Sequence, residues 1–194
     1  SEAGLRKLAA CRVGIAGLGG LGSNGAMLLA RTGFEHFVLV DCDIVEASNL
    51  NRQHYWPQDR GERKTRACLR HLKEINSDIQ ALGMDEVISQ KNLPTLLAQS
   101  EIWVEALDDA RIKALFVQEA LLAGKKVASA SGLAGFGGPC LGRRKLRQLV
   151  LVGDFVTDVA QVPPLGPRVM WAAAMLADSV LAMVLESEKK EERD

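Results

Sequence analysis

No two of the four cysteines, Cys11, Cys42, Cys68 and Cys140, form a C-x-x-C pair, so a structural zinc site built from paired cysteines is not expected. Cysteines scattered in or beside regular elements suit a reducing compartment, and a cytoplasmic location is expected. Excess charge of either sign is also missing: 24 Lys and Arg balance 24 Asp and Glu. The whole chain is therefore no polyanion binder, and no nucleic-acid partner is expected, although a local cationic pocket stays open. No apolar run is read as reaching membrane-spanning length and no signal peptide is visible, so no membrane partner is expected. Because the chain starts at Ser1, a trimmed leader stays open. Repeats and interdomain linkers are absent. At 194 residues, 47% hydrophobic and 25% charged, the chain fits one domain over residues 1–186 with a charged tail over 187–194.

What the chain does have is glycine in a particular order. Val13-Gly14-Ile15-Ala16-Gly17-Leu18-Gly19-Gly20-Leu21-Gly22-Ser23-Asn24 runs from an apolar segment through a glycine cluster into a helix-starting Ser-Asn. The next apolar run, Val38-Leu39-Val40-Asp41, ends in an acid. This is the pattern of a strand–turn–helix–strand unit that lays nucleotide phosphates against backbone. Gly17 would allow the tight turn. Gly19 and Gly20 would clear side chains from the phosphate path, and Gly22 would let the helix pack close to the sheet. Asp41 falls about 20 residues on, where a carboxylate can bond ribose hydroxyls. The competing reading is a tight turn that binds nothing.

Periodicity then alternates strands and helices. Strands are expected over 12–16, 37–41, 79–84, 102–105, 126–131 and 145–152, and helices over 23–32, 63–75, 93–98, 110–122 and 167–185. The polar segment 44–61 is long for a compact domain and reads as a functional loop. The glycine-rich segment 132–142 reads as a mobile crossing loop. Together these predict a Rossmann-like α/β fold, doubly wound, with a mainly parallel sheet covered by helices on both faces. Ligands of such sheets bind outside the carboxyl ends of the strands, where the glycine turn, Asp41 and Asp108 would gather.

The loop after Asp41 carries Asp43, Asn49 and Arg52, and Lys64 follows. Two fixed cations beside a phosphate cradle suit a triphosphate better than a dinucleotide. Asp108 closes the strand region around 102–105, and a carboxylate facing a triphosphate is a natural magnesium ligand. A helix N-cap is the competing role for Asp108, and loop bracing is the competing role for Asp43.

The combination Gly17-x-Gly19-Gly20-x-Gly22, Asp41-x-Asp43, Ser48-Asn49-Leu50-Asn51-Arg52-Gln53, Lys64 and Asp108-Asp109 resembles the ubiquitin-activating-enzyme-like superfamily. It is most similar to the short form of the thiamine-biosynthesis sulfur-carrier adenylyltransferases, the ThiF family. The resemblance covers residues 5–186. It implies ATP and Mg2+ as cofactors and a ubiquitin-like sulfur carrier protein ending in Gly-Gly as partner, with a sulfur donor protein downstream and a homodimeric assembly. It also implies phosphate binding at Gly17, Gly19, Gly20 and Gly22, and ribose binding at Asp41. Asp43 would belong to the cofactor site, Asn49, Arg52 and Lys64 would contact the triphosphate, Arg52 and Lys64 would stabilise charge at the reacting phosphorus, and Asp108 would bind magnesium. The nucleophile would be a C-terminal carboxylate, ionised at neutral pH because its pKa is ~3.5, so no general base is required.

The sequence departs from that family in four places. Arg6 and Lys7 are the basic residues before the first strand, where longer relatives carry an N-terminal helix with a reaching arginine. The zinc cysteines of larger members are missing. Glu105-Ala-Leu-Asp108-Asp109 stands where the family commonly has Asp-x-x-Asp-Asn. Cys140 does not match the sulfur-transfer cysteine, although Arg143, Arg144 and Lys145 nearby would favour a thiolate. His54-Tyr55-Trp56 can stack on a ligand or pack the loop, Trp103 and Trp171 read as core, and Arg168 reads equally as structural or substrate-facing. Two further functions compete: a noncatalytic nucleotide-binding partner, and a nicotinamide-dependent oxidoreductase. Within the first class, another carboxylate or a molybdopterin-type carrier also fits.

Overall fold

A computed structural model describes residues 1–186; the charged tail expected over 187–194 lies outside the described residues. The element order is α1 (Glu2–Ala10), β1 (Arg12–Ala16), α2 (Gly20–Arg31), β2 (His36–Val40), α3 (Lys64–Ile75), β3 (Gln80–Met84), α4 (Leu93–Leu97), β4 (Ile102–Glu105), α5 (Ala110–Leu122), β5 (Lys126–Ala130), β6 (Gly142–Leu146), β7 (Leu149–Gly153) and α6 (Gly166–Leu185). The seven strands lie in the order β3-β2-β1-β4-β5-β7-β6. All pairings are parallel except β6 with β7. The chain therefore begins at the centre, winds out to β3, and returns to β4 on the other side of β1. That reversal opens a crevice above the carboxyl ends of β1 and β4.

Side chains along each central strand alternate between two cores, as a period of two requires. Val13, Ile15, Phe37, Leu39, Ile102 and Val104 face one cluster, which α1, α2, α3 and α6 complete. Ala16, Val38, Val40, Trp103 and Val127 face the other, which α4 and α5 cover. Small residues dominate where α2 meets α6, with Ala26, Ala30, Ala172 and Ala177 all buried, so the two helices approach closely over the sheet.

Three expectations change. The N-terminal residues form α1, capped by the Ser1 hydroxyl accepting from Gly4 N–H; too few apolar positions (Leu8 alone is buried) reveal it in sequence. The expected strand over 145–152 is a hairpin, β6 and β7, turning at Arg147 with φ 50°. Its polar outer strand, Gly142–Leu146, lacks the apolar run that marks a strand. Finally, α6 is, by length and composition alone, long and apolar enough to cross a membrane, against the reading that no run is. Here it packs on α2, α1 and the sheet, with Val169, Ala172, Leu176 and Val180 buried.

Gly14 pairs in register with Trp103, and the indole lies where a Gly14 Cβ would go. That ring is fully buried, edge-on to Phe116, and donates from Nε1 to Ser100 O at 3.2 Å. Gly14→Ala is expected to cost about 1–3 kcal/mol through overpacking. Urea unfolding of the two proteins checks this, and equal midpoints would refute it.

Candidate active site

The crevice is a cleft of about 820 Å³ over the carboxyl ends of β2, β1, β4, β5 and β7. Its centre is the turn between β1 and α2. Gly17 has φ +90°, and a Cβ there would stand 2.6 Å from Ala106 O, so both conformation and space demand glycine. At Gly20 a Cβ would meet Val169 Cγ1 at 2.6 Å. At Gly22 it would collide with Gly17 O, which gives Gly22 the close-packing role read from sequence. Gly17, Gly19 and Gly20 line the cleft; Gly22 does not. The α2 N-terminus at Gly19 has no side-chain cap, so its N–H groups and the positive end of the helix dipole are offered to an anion.

Asp41 binds this turn to the next loop. Its Oδ2 accepts from Leu18 N–H at 2.6 Å and its Oδ1 from Asp43 N–H at 2.8 Å. Each oxygen keeps a lone pair for a further donor such as a ribose hydroxyl. The loop over 44–61 folds back on α2 with Val45, Asn49, Gln53, Tyr55 and Asp59 buried. Asn24 Nδ2 donates to Arg52 O at 2.9 Å, Ser23 Oγ accepts from His54 N–H at 3.0 Å, and Tyr55 donates to Leu18 O at 2.9 Å. Burial pushes the Tyr55 hydroxyl pKa up, so it stays a donor. Ser23 and Asn24, expected to start the helix, lie inside it and pin the loop instead. His54, Trp56 and His71 pack edge to face, which assigns the aromatic trio to loop packing.

Arg52, Lys64 and Asp43 all line the cleft. Lys64 is buried and its Nζ meets Asp43 Oδ2 at 2.8 Å. Arg52 Nη1 is held by Ser48 O at 3.1 Å and Asn51 Oδ1 at 2.9 Å, fixing the guanidinium at the rim. Asn49 corrects the sequence reading, because it does not line the cleft. Its Oδ1 accepts from Glu46 N–H at 3.0 Å and closes the turn that presents Arg52.

The β4–α5 turn separates two neighbouring acids. Asp109 is the helix cap, accepting from Arg111 N–H at 2.8 Å and Ile112 N–H at 3.1 Å. Asp108 is thereby released from capping and stands exposed on the cleft. Beneath them lies an arrangement the sequence reading missed. Glu105 is fully buried and accepts from Lys113 Nζ at 2.6 Å, Ser129 Oγ at 2.6 Å and Leu107 N–H at 2.8 Å. An acid at the end of an apolar strand was its one signal. Donors suit a hard cation at Asp108: one free carboxylate, with the remaining ligands to come from phosphate oxygens and water.

Arg168 is structural. It is buried, with Nη2 on Asp154 Oδ2 at 2.5 Å and Nη1 on Pro139 O at 3.0 Å, so it ties α6 to the 132–142 loop and the segment after β7. Cys140 is exposed, but its basic neighbours are engaged elsewhere: Arg143 with Asp178, Lys145 with Glu186, and Arg144 over the Phe155 ring. Burial pushes Cys68 up to about 12 and also raises Cys11 and Cys42, so none of these three is a thiolate. Trp103 is core as expected, while Trp171 is 44% exposed.

The chain matches the ThiF family over residues 1–191. It is 29% identical over 187 residues to the sulfur carrier protein ThiS adenylyltransferase of Bacillus subtilis, covering 94% of this chain and 53% of that protein. It is 33% identical over 131 residues to the adenylyltransferase and sulfurtransferase uba4 of Aspergillus niger, covering 67% of this chain and 27% of that protein. The chain thus spans about half or less of these curated relatives. Among solved structures, the E. coli tRNA N6-threonylcarbamoyladenosine dehydratase TcdA in complex with ATP superposes with a TM-score of 0.89, at 18% identity over 97% of this chain and 91% of that one. The likeness bears out the Rossmann-like α/β fold.

Lys64 shifts the titration of its partner. Its hydrogen bond holds the Asp43 carboxyl below the usual range, against the opposing push of desolvation. A depressed carboxyl stabilises the fold above the ordinary carboxylate range, and this contribution is lost as pH falls through the depressed value. In Lys64→Ala the Asp43 pKa is expected to rise. The pH-dependent step, about 0–1 kcal/mol for a pair this exposed on one side, should vanish. Carboxyl 13C NMR titration checks it; an unmoved Asp43 resonance would refute the coupling.

Proposed function

The chain belongs to the ThiF family, and from that premise we propose that it uses ATP to adenylate the C-terminal glycine of a ubiquitin-like sulfur carrier of the ThiS type, in thiazole formation for thiamine. The observation that carries this reading is the gathering of Lys64, Arg52 and Asp108 around an uncapped glycine turn in one cleft. Such a set suits charge neutralisation on a triphosphate and offers no hydride-site proton donor. The names of relatives support a sulfur-carrier substrate: the Bacillus subtilis protein acts on ThiS, and uba4 is called an adenylyltransferase and sulfurtransferase.

In this reading the phosphates lie along the α2 N-terminus and the ribose meets Asp41. The carrier carboxylate oxygen bonds to the α-phosphorus while the bond to the bridging oxygen of pyrophosphate breaks. The products are acyl adenylate and pyrophosphate. No proton has to be removed, because the carboxylate is already ionised at neutral pH. Lys64 and Arg52 oppose the negative charge that builds on the phosphoryl group and the leaving pyrophosphate. Asp108 would hold Mg2+, which supplies further neutralisation of the phosphates when bound. A homodimer, a cytoplasmic location and a sulfur donor protein that consumes the adenylate belong to the same proposal. The free cysteines among the described residues suit such a compartment.

Pyrophosphate exchange into ATP, with Mg2+ and with or without the ThiS-type carrier, tests the proposal. Exchange should require the carrier and its terminal glycine. Lys64→Ala and Arg52→Ala should each lower it by about 10²–10³-fold while the fold is kept. ATP binding without exchange for any Gly-Gly carrier would replace this reading with a noncatalytic nucleotide-binding module. Exchange with a molybdopterin-type carrier alone would move it to that pathway.

A further inference from the structure

The cleft has two unlike halves. Over β2, β1 and β4 it is polar and charged, with Asp41, Asp43, Arg52, Lys64 and Asp108. Over β5 and β7 it is largely apolar, with Ala130, Leu133, Phe155 and Val156. Among the described residues lining the cleft, one carries a neutral side-chain amide: Gln53, which follows Arg52 at the end of the 48–53 run.

The Gln53 backbone is fully engaged in the loop. Its N–H donates to Asn49 O at 2.9 Å, and its carbonyl accepts from Tyr55 N–H at 2.9 Å. The side chain is not engaged. Gln53 is only 8% exposed, yet Oε1 is buried without a hydrogen-bond partner. Nε2 likewise has no acceptor among the described residues. Neighbouring polar side chains behave differently: Ser23, Asn24 and Tyr55 each bond to backbone of the loop or the turn. A buried amide left unpaired costs stability, and an apolar side chain of the same length would serve the loop at least as well.

The position of that amide gives it a use. Nε2 stands 3.8 Å from the point a Gly19 Cβ would occupy. Arg52 O and Arg52 Cγ stand 3.5 Å and 3.7 Å from the matching point at Gly20. Residues 52 and 53 thus run beside the two glycines that leave the α2 N-terminus open to an anion. An amide N–H donates to an ionised oxygen more strongly than to a neutral one, and it does so without adding charge beside Lys64 and Arg52.

We infer that Gln53 is a phosphate-binding residue: its side-chain amide donates from Nε2 to a nucleotide phosphate oxygen held at Gly19 and Gly20. The inference rests on the reading of the cleft as a nucleoside triphosphate site and needs nothing of the carrier.

ATP and adenosine, titrated by calorimetry into the full chain, Gln53→Met and Gln53→Glu, test it. Met keeps the length of the side chain and removes both polar ends. Glu keeps the shape and sets a carboxyl where the phosphate meets the amide. ATP affinity should fall about 10–100-fold in Gln53→Met and at least as far in Gln53→Glu. Adenosine affinity should stay within about twofold in both. The urea midpoint of Gln53→Met should equal or exceed that of the unaltered chain, because an unpaired amide leaves the interior. A purely structural role predicts the reverse: a lower midpoint, and equal losses for both ligands. ATP affinity unchanged in both variants, or equal losses for ATP and adenosine, overturns the inference. So does an unaltered chain that binds ATP no tighter than adenosine, which removes the triphosphate reading as well. If ATP affinity falls as expected while no Gly-Gly carrier supports exchange, Gln53 keeps its role and the protein-carrier reading falls.

Discussion

Asp41 is the constraint on which the rest of the site depends. A loop of bare glycines has no side chains to fix its shape, and its conformational entropy is high. The Asp41 carboxylate removes that freedom from both directions, with Leu18 N–H on one oxygen and Asp43 N–H on the other. One side chain at the end of β2 therefore sets the position of the phosphate cradle and of the loop that brings Asp43 to Lys64. Hydrogen bonds to an ionised acceptor are about twice as strong as neutral ones, so a carboxylate suits this work better than an amide.

Loop bracing continues the same logic outward. Ser23, Asn24 and Tyr55 each spend a polar side chain on backbone of the turn or of the 44–61 loop. Asn49 closes the turn that carries Arg52. Arg52 at the rim is thus placed by residues that do not line the cleft. A preorganised site of this kind has little reorganisation left to do when charge develops.

What could be read in the sequence was whatever is local. The glycine order, the acid ending the β2 run, and the apolar periods of α3, α5 and α6 each declare themselves within a dozen residues. Lys64 and Arg52 were legible through the motif around them. What depended on distant partners was not. Asp108 and Asp109 are adjacent and alike, and only the exit angle of α5 decides which one caps it. Asn49 reads as a ligand until Glu46 N–H claims it. Arg168 and Asp154, fourteen positions apart, identify each other only after β7 and α6 have folded together. The β6–β7 hairpin was hidden because an exposed edge strand needs no apolar alternation, and charged residues are a common way to blunt such an edge.

The contrast between the two halves of the cleft follows from where the chain reverses. Strands β1 and β4 flank the reversal, and the acids nearby are compensated locally: Asp41, after β2, by Leu18 N–H and Asp43 N–H, and Glu105, ending β4, by Lys113, Ser129 and Leu107 N–H. Strands β5 and β7 end instead against a glycine-lined backbone pair, where Gly132 and Gly153 admit no side chain and Asp154 spends its carboxylate on its own loop. The wall at that end of the sheet is largely apolar, so a substrate meets mainly apolar surface on one side and charged groups on the other. The polar half supplies energy that varies with salt and pH, while the apolar half supplies contact that does not.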